Sequence, residues 1–537
     1  MKEPNTLPSS EKYHLAIEDI KNQLSNYSPI SVLKEATNQL EFCNTLDSHI
    51  EGMPWIILFT LKLSMMNGES SKPAIRKEKF DEIVDSVYAI QHIASDIDEG
   101  DVMLKLRAMI LQQAWYQNSE AFHMSNILRQ NHWFTGKNKY YEEVFSKSCG
   151  LSLESYFLIS TYLIASLSRC RPNVINVNIG ALVKDLCPKV KIKDIYKFLM
   201  LVATPANELH VFFKSHKIRD KKNKQSEYFQ PTPIRYRPII FSGNSAYTLS
   251  KTILCGGLAS IVVDRLKLDY KEEFKTEFGK DMEEYVGELL SVAKIESLNE
   301  ENIKKLFRKN SIKIKKITDY FIDGDTPILI ECKAIEPGDI VKSSFERELL
   351  AKNLKDSFIK SVNQGQETAA GLKQLAQHKE KKFIHLVVTH EDFWIATGAE
   401  LKSIYTELSP ILGDDGVPVL ELERVIFMPI SSLETLLEEY MRGEANIIDI
   451  LETFIDRHKT VDGRRMTTSQ AISELLKNHP MHSLLKEASI FWVDKVGETI
   501  KANNEHWSKP ENNGELFTEY TKLIVNLRKG YREKLTW

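Results

Sequence analysis

Apolar residues recur at three- and four-residue steps through most of the first 210 positions, a spacing that predicts one amphipathic helix after another. The clearest of these stretches are residues 14–24, 55–66, 81–97, 101–117 and 153–167. Residues 171–200 are expected to form short helices of a small bundle. The helical spacing returns after residue 441, so we expect the chain to begin and end in large all-α regions.

Between these regions the pattern changes to short runs that are typical of strands. Residues 311–324 alternate apolar and polar side chains, and three apolar, β-branched runs follow at 326–336, 381–390 and 423–430. Helical segments separate these runs, and strands that alternate with helices predict an α/β layer. We therefore expect a central sheet flanked by helices, embedded between the two helical regions.

A lysine-rich segment over residues 214–225, followed by three prolines within 230–241, has the composition of an exposed linker. It marks the first of two expected boundaries. The predicted regions are a helical region over 1–245 that ends in this basic linker, an α/β core over 246–440, and a helical region over 441–537.

Composition narrows the class of protein without assigning a function. The chain is 42% hydrophobic and 27% charged, which is ordinary for a soluble globular protein. The net charge of −3 gives no overall basicity, so any nucleic-acid binding must come from local patches. The N-terminus lacks the apolar stretch of a secretory signal, and the longest uncharged apolar segment (155–168) is too short to cross a bilayer. We expect a cytoplasmic protein that does not enter a membrane.

The residues that carry chemistry lie around the second predicted strand. Asp319 precedes a turn at 323–325, and the next strand ends in Glu331-Cys332-Lys333. Strand alternation places Glu331 and Lys333 on one face and Cys332 on the other. We expect a helix to cover the apolar Cys332 face and the charged face to bind a ligand. Burying a carboxylate and an ammonium is costly unless something pairs with them, and a metal ion with an anionic substrate would do so.

With Asp319 across a turn from an acidic-x-Lys triplet, the chain resembles the PD-(D/E)xK, or restriction-endonuclease-like, nuclease superfamily. Thr318 stands where the motif has proline. The resemblance covers roughly residues 250–435. It implies that Asp319 and Glu331 bind Mg²⁺ or Mn²⁺ and that Lys333 is the catalytic lysine. The absence of a His or Cys cluster beside these carboxylates also favours a hard cation over Zn²⁺.

The family also tends to have a glutamate on the helix ahead of the sheet and a glutamine on the helix after the triplet. Glu283 is preferred over Glu284 for the first position, because it shares a helix face with Gly279 and lies at the edge of the apolar stripe. For the second position Gln374 is preferred and Gln366 is the alternative. The same residues could equally be solvated surface side chains.

Basic residues concentrate immediately upstream of Asp319. This stretch leads into the acidic site, so it could follow a nucleic-acid backbone, or it could protect a sheet edge from aggregation. Two of these residues, Lys313 and Lys315, are expected on the same face of one strand. The candidate nucleic-acid-binding residues are Lys304, Lys305, Arg308, Lys309, Lys313 and Lys315.

The resemblance implies a metal-dependent nuclease, with DNA as the favoured substrate and an anti-phage defence role. A phage-derived trigger or partner protein would then bind the helical region, and the chain could form homo-oligomers. Two alternatives stay open. One is a cytosolic RNase, for example a tRNA-cleaving enzyme that causes abortive infection, and the other is a catalytically inactive module that binds nucleic acid or protein.

Overall fold

The computed structural model describes most of the chain, and it is mostly helical (68%) with two small mixed sheets. The described residues are 8–42, 53–96, 102–117, 119–135, 139–167, 174–216, 224–243, 245–334, 338–460, 462–465 and 467–534. Most of the basic linker expected at 214–225, residues 217–223, lies outside them. The chain divides into two compact units. Unit 1 consists of Met1–Tyr270 and Glu487–Trp537, and unit 2 is Lys271–Lys486.

Unit 1 is built mainly from helices, as the apolar spacing predicted. Its N-terminal part contains α1 Ser9–Ser25, α2 Pro29–Phe42, α3 Pro54–Asn67, α4 Lys77–Ala89, α5 Gln91–Ser95, α6 Val102–Gln117, α7 Glu120–Phe134, α8 Tyr140–Cys149, α9 Leu153–Leu167, α10 Ile179–Leu186, α11 Ile192–Val202 and α12 Leu209–Ser215. Helix α13, Lys251–Val292, has a break at Lys271 (φ 31°, ψ −103°), where unit 2 begins. The C-terminal helices are α22 Ser483–Trp507 and α23 Asn513–Lys534, and the unit boundary falls near the start of α22.

Unit 1 also contains a four-stranded sheet, so the expectation of an all-α N-terminal region is wrong. The strands are β1 Ile175–Val177, β2 Ala203–Pro205, β3 Ile239–Ser242 and β4 Ser245–Thr248. They lie in the order β1-β4-β3-β2, and only the β2–β3 pair is parallel. Strands of three or four residues are too short to show a clear two-residue period, which is why the hydrophobic pattern did not reveal them.

Unit 2 contains the five-stranded sheet and the helices around it. Its strands are β5 Leu298–Asn299, β6 Tyr320–Ile322, β7 Ile328–Lys333, β8 Ile384–Thr389 and β9 Val425–Pro429. Its helices after α13 are α14 Glu300–Lys309, α15 Asp339–Ser343, α16 Arg347–Leu354, α17 Lys360–Leu372, α18 Gly398–Ile404, α19 Ile430–Met441, α20 Ile447–His458 and α21 Thr468–Leu475, with a π-helical segment at Lys355–Ile359 before α17.

The strands of this sheet follow one another in chain order, β5-β6-β7-β8-β9. The β5–β6 and β6–β7 pairs are antiparallel, whereas β7–β8 and β8–β9 are parallel and are joined by helical crossovers. Every residue of β8 is buried. Strands covered on both faces read as continuous apolar runs, and this explains why the three runs at 326–336, 381–390 and 423–430 were visible in the sequence.

The structure departs from the expected regions in three further places. Residues 246–270, expected in the α/β core, belong to unit 1. Residues 312–318 are not a strand, and β6 is limited to Tyr320–Ile322. The C-terminal region is not one body either, because α20 and α21 belong to unit 2 and Glu487–Trp537 belongs to unit 1. Periodicity predicts helices but not which neighbours they pack against.

Among the described residues, no single helix is long and apolar enough to cross a membrane. Helices α8 and α9, which meet at 77°, satisfy the length and composition criterion only when they are taken together.

Candidate active site

Strands β6 and β7 bring the two candidate metal-binding carboxylates to adjacent positions. Tyr320, the first residue of β6, pairs with Ile330, so Asp319 lies opposite Glu331. Residues opposite one another in an antiparallel pair project to the same face. The Oδ2 atom of Asp319 accepts a hydrogen bond of 2.6 Å from the Cys332 N–H and so fixes this carboxylate against β7.

Lys333 lies beside the same carboxylates. Its Nζ donates a short hydrogen bond to Oε1 of Glu331, and Oε1 of Gln364 lies 3.5 Å from the same Nζ. Glu331 is only 1% exposed, whereas Lys333 is half-buried at the end of β7. The strand therefore buries the carboxylate of this charged pair and leaves the Lys333 side chain 18% exposed.

Helix α17 holds the irregular segment that leads to Asp319. The Nε2 of Gln364 donates to the Ile317 carbonyl at 3.3 Å, and Oγ1 of Thr368 accepts from the Thr318 N–H at 3.1 Å. One turn away, Oε2 of Glu367 accepts from the Lys316 N–H at 3.2 Å. Side chains of α17 thus hydrogen-bond to the backbone N–H and C=O groups of residues 316–318, which a neighbouring strand would otherwise bind. For this reason the alternating sequence at 312–318 does not form a strand.

Helix α13 brings the third carboxylate to the site. The Tyr320 hydroxyl donates to the Glu283 carbonyl at 3.0 Å and packs against Gly287, where a Cβ atom would lie 2.4 Å from the hydroxyl oxygen. Glu283 is half-buried and its charge acts on Asp319 and Glu331, whereas Glu284 is exposed. The structure therefore places Glu283 near the two other carboxylates, on the helix ahead of the sheet.

Negative charge exceeds positive charge in this pocket. Burial, and then the neighbouring Glu331 carboxylate, raises the pKa of Asp319 to about 7. Burial, and then Asp319, also raises the pKa of Glu283 to about 7. Burial raises the pKa of Glu331 as well, although the Lys333 ammonium opposes that shift. One lysine does not neutralise three carboxylates. Near neutral pH some of these carboxyl groups are therefore protonated, and a metal cation that binds them would displace the protons.

The donor set fits a hard divalent cation in its chemistry. Carboxylate oxygens are the ligands that Mg²⁺ and Mn²⁺ prefer, and Oε2 of Glu331 is buried without a hydrogen-bond partner among the described residues. Asp319 and Glu331 are the residues that would hold such an ion. Within the same described residues, no three His, Cys, Asp or Glu side chains already stand in a ready-made metal-binding arrangement.

The structure does not bring Gln374 to the site. It lies beyond the end of α17, where its exposed amide nitrogen lies 3.5 Å from the Ala370 carbonyl. The alternative, Gln366, is fully buried and its Oε1 accepts a short hydrogen bond from the Ile411 N–H. Gln364 contacts Lys333 instead. A glutamine every few residues on one helix gives no sequence signal for the choice, because the helix rotation is set by tertiary packing and by the π-helical segment before it.

Two further expectations need correction. A helix was expected to cover the Cys332 face of β7 and the Glu331 face to bind a ligand, but Gln364 of α17 lies over the Glu331 face and Glu331 is buried. In addition, Glu300 was not singled out by its sequence context. It lies in the first turn of α14, 2.9 Å from Lys304 Nζ, and its charge contributes to the raised pKa of Asp319 and Glu283.

The candidate nucleic-acid-binding residues form two groups. Asn299 caps α14 by accepting from the Asn302 N–H, and the later turns of this helix expose Lys305, Arg308 and Lys309, while Lys304 pairs with glutamates of its own helix. Lys313 and Lys315 are exposed but lie on irregular backbone, so the expectation that they share a strand face is wrong.

Comparisons with protein-family models, curated proteins and solved structures found no match to this chain. The site is therefore described by its own geometry.

Proposed function

We propose that unit 2 is a metal-dependent nuclease that hydrolyses phosphodiester bonds, with Mg²⁺ or Mn²⁺ held by Asp319 and Glu331. The observation that carries this proposal is the buried Glu331–Lys333 pair with Asp319 on the adjacent strand. In an ion pair with a purely structural role, positive and negative groups would be equal in number. This pocket instead has more carboxylates than cations, and burial raises the pKa of these carboxylates.

Each residue has a defined part in such a reaction. Lys333 would contact a scissile phosphate and the attacking water, because its ammonium lies at the accessible end of β7. Gln364 would orient Lys333, and Glu283 would accept or hold a proton near the site. When bound, the metal ion would stabilise charge on the phosphate and lower the pKa of its water.

The mixed sheet supports a restriction-endonuclease-like fold for this unit. A parallel β7–β8–β9 arrangement with an antiparallel β6 places the carboxylates and the lysine at one end of the central strands. The exposed cations Lys305, Arg308 and Lys309 lie on α14, which packs on β5 and β6 and would give the backbone of a nucleic acid a basic surface.

DNA is the proposed substrate and anti-phage defence in the cytoplasm is the proposed role, both through the resemblance of the Asp319, Glu331 and Lys333 motif. On this proposal a phage-derived trigger or partner protein would act on the helical part of the chain.

The test is to incubate the purified full-length chain with plasmid, linear duplex, single-stranded DNA and total RNA, each with Mg²⁺, with Mn²⁺ and with EDTA. We expect metal-dependent cleavage of DNA that the Lys333→Ala protein does not show. Cleavage of RNA alone would replace this proposal by the cytosolic RNase. If the wild-type and Lys333→Ala proteins give the same result on every substrate, unit 2 is a binding module.

A further inference from the structure

Residues 153–248 of unit 1 contain an arrangement that the helical pattern of the sequence did not reveal. Helix α9 is followed by β1, by α10 and α11 with a short turn at 187–191 between them, and later by the β3–β4 hairpin. The first strand, β1, pairs antiparallel with β4, the second strand of the hairpin. This order and pairing is that of a winged helix-turn-helix, in which α11 takes the position of the recognition helix.

The local sequence contains the features that this helix-turn-helix arrangement requires. Asn178 caps α10 by accepting from the Ala181 N–H at 2.9 Å. The inner faces of both helices are apolar and buried, and the β3–β4 turn has Gly243 at φ +63°, a conformation that favours glycine. The buried residues are Ile179, Leu182, Val183, Leu186, Ile195, Phe198, Leu199 and Val202.

The C-terminal helices brace the turn from one side. Trp507 Nε1 donates to the carbonyls of Lys184 and Cys187 at 3.0 and 2.8 Å. Asn503 donates to the Asp185 carbonyl at 2.8 Å and accepts from the Lys189 N–H at 3.2 Å. Trp507 and Asn503 are both buried, so α22 fixes the backbone around the turn through four hydrogen bonds.

Helix α23 packs against α10 and against the later part of α11. A Cβ atom on Gly530 would lie 2.4 Å from the Tyr196 hydroxyl and 3.3 Å from Met200, and the Tyr531 hydroxyl lies 3.4 Å from the Leu199 carbonyl. The turn and the first residues of α11 stay exposed. These are the positions with which a recognition helix enters the major groove.

The exposed part is strongly basic. Lys189 and Lys191 lie on the turn, Lys193 lies at the start of α11, and Lys184 lies near the end of α10. None of the four forms an ion pair within the part of the chain that the structure describes. The two acidic residues of this stretch point to α9 instead: Asp185 accepts from the Tyr162 hydroxyl at 2.7 Å, and Asp194 lies 3.5 Å from the Ser155 hydroxyl. The lysines of this patch, here called the turn lysines, are Lys184, Lys189, Lys191 and Lys193.

We propose that this winged helix-turn-helix binds duplex DNA through the turn lysines and the start of α11, independently of the nuclease site. An ordinary solvated lysine cluster can lie on any loop, whereas this one lies at the docking end of a braced helix-turn-helix. Its two neighbouring carboxylates, Asp185 and Asp194, hydrogen-bond to α9 and form no ion pair with the turn lysines among the described residues. The turn lysines would contact phosphates on both sides of the groove.

The test measures binding rather than cleavage, so it is separate from the proposed function. Full-length protein in EDTA is titrated into a labelled 20-base-pair duplex at several salt concentrations, and fluorescence anisotropy gives Kd. With all four turn lysines replaced by Gln, we expect Kd to rise at least about tenfold near 0.1 M salt. We also expect the slope of log K against log salt to fall by up to about 3.6, since each of four phosphate contacts contributes about 0.9.

A matched control replaces four other exposed lysines of unit 1, Lys34, Lys72, Lys77 and Lys147, by Gln. This variant has the same net charge and should keep the wild-type Kd within about twofold if the position of the charge matters rather than its total. Unlabelled duplex DNA should compete better than single-stranded DNA or duplex RNA of equal length. The proposal fails if both quadruple variants lose the same affinity, or if single strands or RNA compete as well as duplex DNA.

Discussion

The two sheets of this chain differ in where they place charge. The strands of the unit 1 sheet, β1 to β4, contain no Asp, Glu, Lys, Arg or His, and the turn lysines lie on α10, on α11 and on the turn between these helices. The unit 2 sheet instead carries Glu331, Lys333 and His385 within its strands, and Glu331 and His385 are almost completely buried. One sheet is a neutral support, and the other holds ionisable groups in its interior.

Burying ionisable groups costs free energy, and only the unit 2 sheet carries this cost. A carboxylate removed from water is destabilising unless its partners compensate, and burial raises the pKa of Asp319, Glu283 and Glu331. Burial lowers the pKa of His385 to about 4, so this residue is neutral and its Nε2 lies 3.1 Å from the Ser361 carbonyl. The buried carboxylates therefore indicate a site where a ligand is expected, whereas His385 is a neutral residue of the core.

The largest effect is expected from removing the cation of the buried pair. Lys333→Ala should reduce metal-dependent cleavage by about 10³-fold or more, because residues that act as one catalytic unit each cost most of the rate. The measurement is single-turnover cleavage with Mg²⁺. The control is Lys360→Ala, an exposed lysine on α17, which should cleave at the wild-type rate. Equal rates for wild type and Lys333→Ala would show that the buried pair is only structural.

A smaller effect on the cleavage rate should distinguish Gln364 from Gln374. Gln364→Ala removes the amide that lies between Lys333 and the Ile317 carbonyl, and we expect cleavage to fall about 10- to 100-fold, as for other groups that orient a site residue. Gln374→Ala should leave the rate unchanged because its amide is exposed and reaches only toward Ala370. A larger effect of Gln374→Ala would contradict the conclusion that Gln364 is the glutamine of α17 that orients Lys333.

Metal affinity should depend on pH in the unit 2 site. The pKa of Asp319 is raised to about 7, so below pH 7 this carboxyl must lose a proton before it can bind a cation. Mn²⁺ affinity should therefore weaken about tenfold for each pH unit below 7 and level off above pH 8, if one proton is released. Calorimetric titration at pH 6, 7 and 8 measures this. An affinity that does not change between pH 6 and 8 would contradict a metal site at Asp319.

The smallest expected effect is on stability without metal. The pKa of Asp319 is about 7 in the folded chain and about 4 in an unfolded one, so the protein holds this proton more tightly when folded. That contribution is complete below pH 4 and is lost as the pH rises toward 7. Asp319→Asn cannot ionise, and it should raise the Tm in EDTA by a few degrees at pH 8, at about 2–4 °C per kcal/mol, and by less at pH 5.

The matched comparison for this prediction is Asp323→Asn, at an exposed carboxylate in the turn between β6 and β7. It should not raise the Tm at either pH. Mg²⁺ should raise the Tm of wild type more than that of Asp319→Asn, because a ligand that binds only the folded state stabilises it. A lower Tm for Asp319→Asn at pH 8 would show that the ionised carboxylate is favourable in the metal-free site.

Local patterns determined much of this protein. The three apolar runs over 326–430 are present as β7, β8 and β9, and most of the helices over the first 210 residues lie where apolar residues recur at helical steps. The pairing of Asp319 with Glu331 and Lys333 also followed from the sequence, because strand alternation and a short turn limit where these side chains can go. Periodicity and strand alternation depend only on residues that are close together in the chain, so they can be read from a single segment.

Other features were decided only by tertiary structure. Gln364 rather than Gln374 lies over Lys333 because packing sets the rotation of α17, and side chains of that helix, not a strand partner, hold residues 316–318. The unit 1 sheet joins strands that lie up to about 70 residues apart in the chain, and each is too short to show a period. Contacts between distant segments leave no periodic trace in either one. For that reason neither the pairing of β1 with the β3–β4 hairpin nor the division of the C-terminal helices could be derived from the sequence.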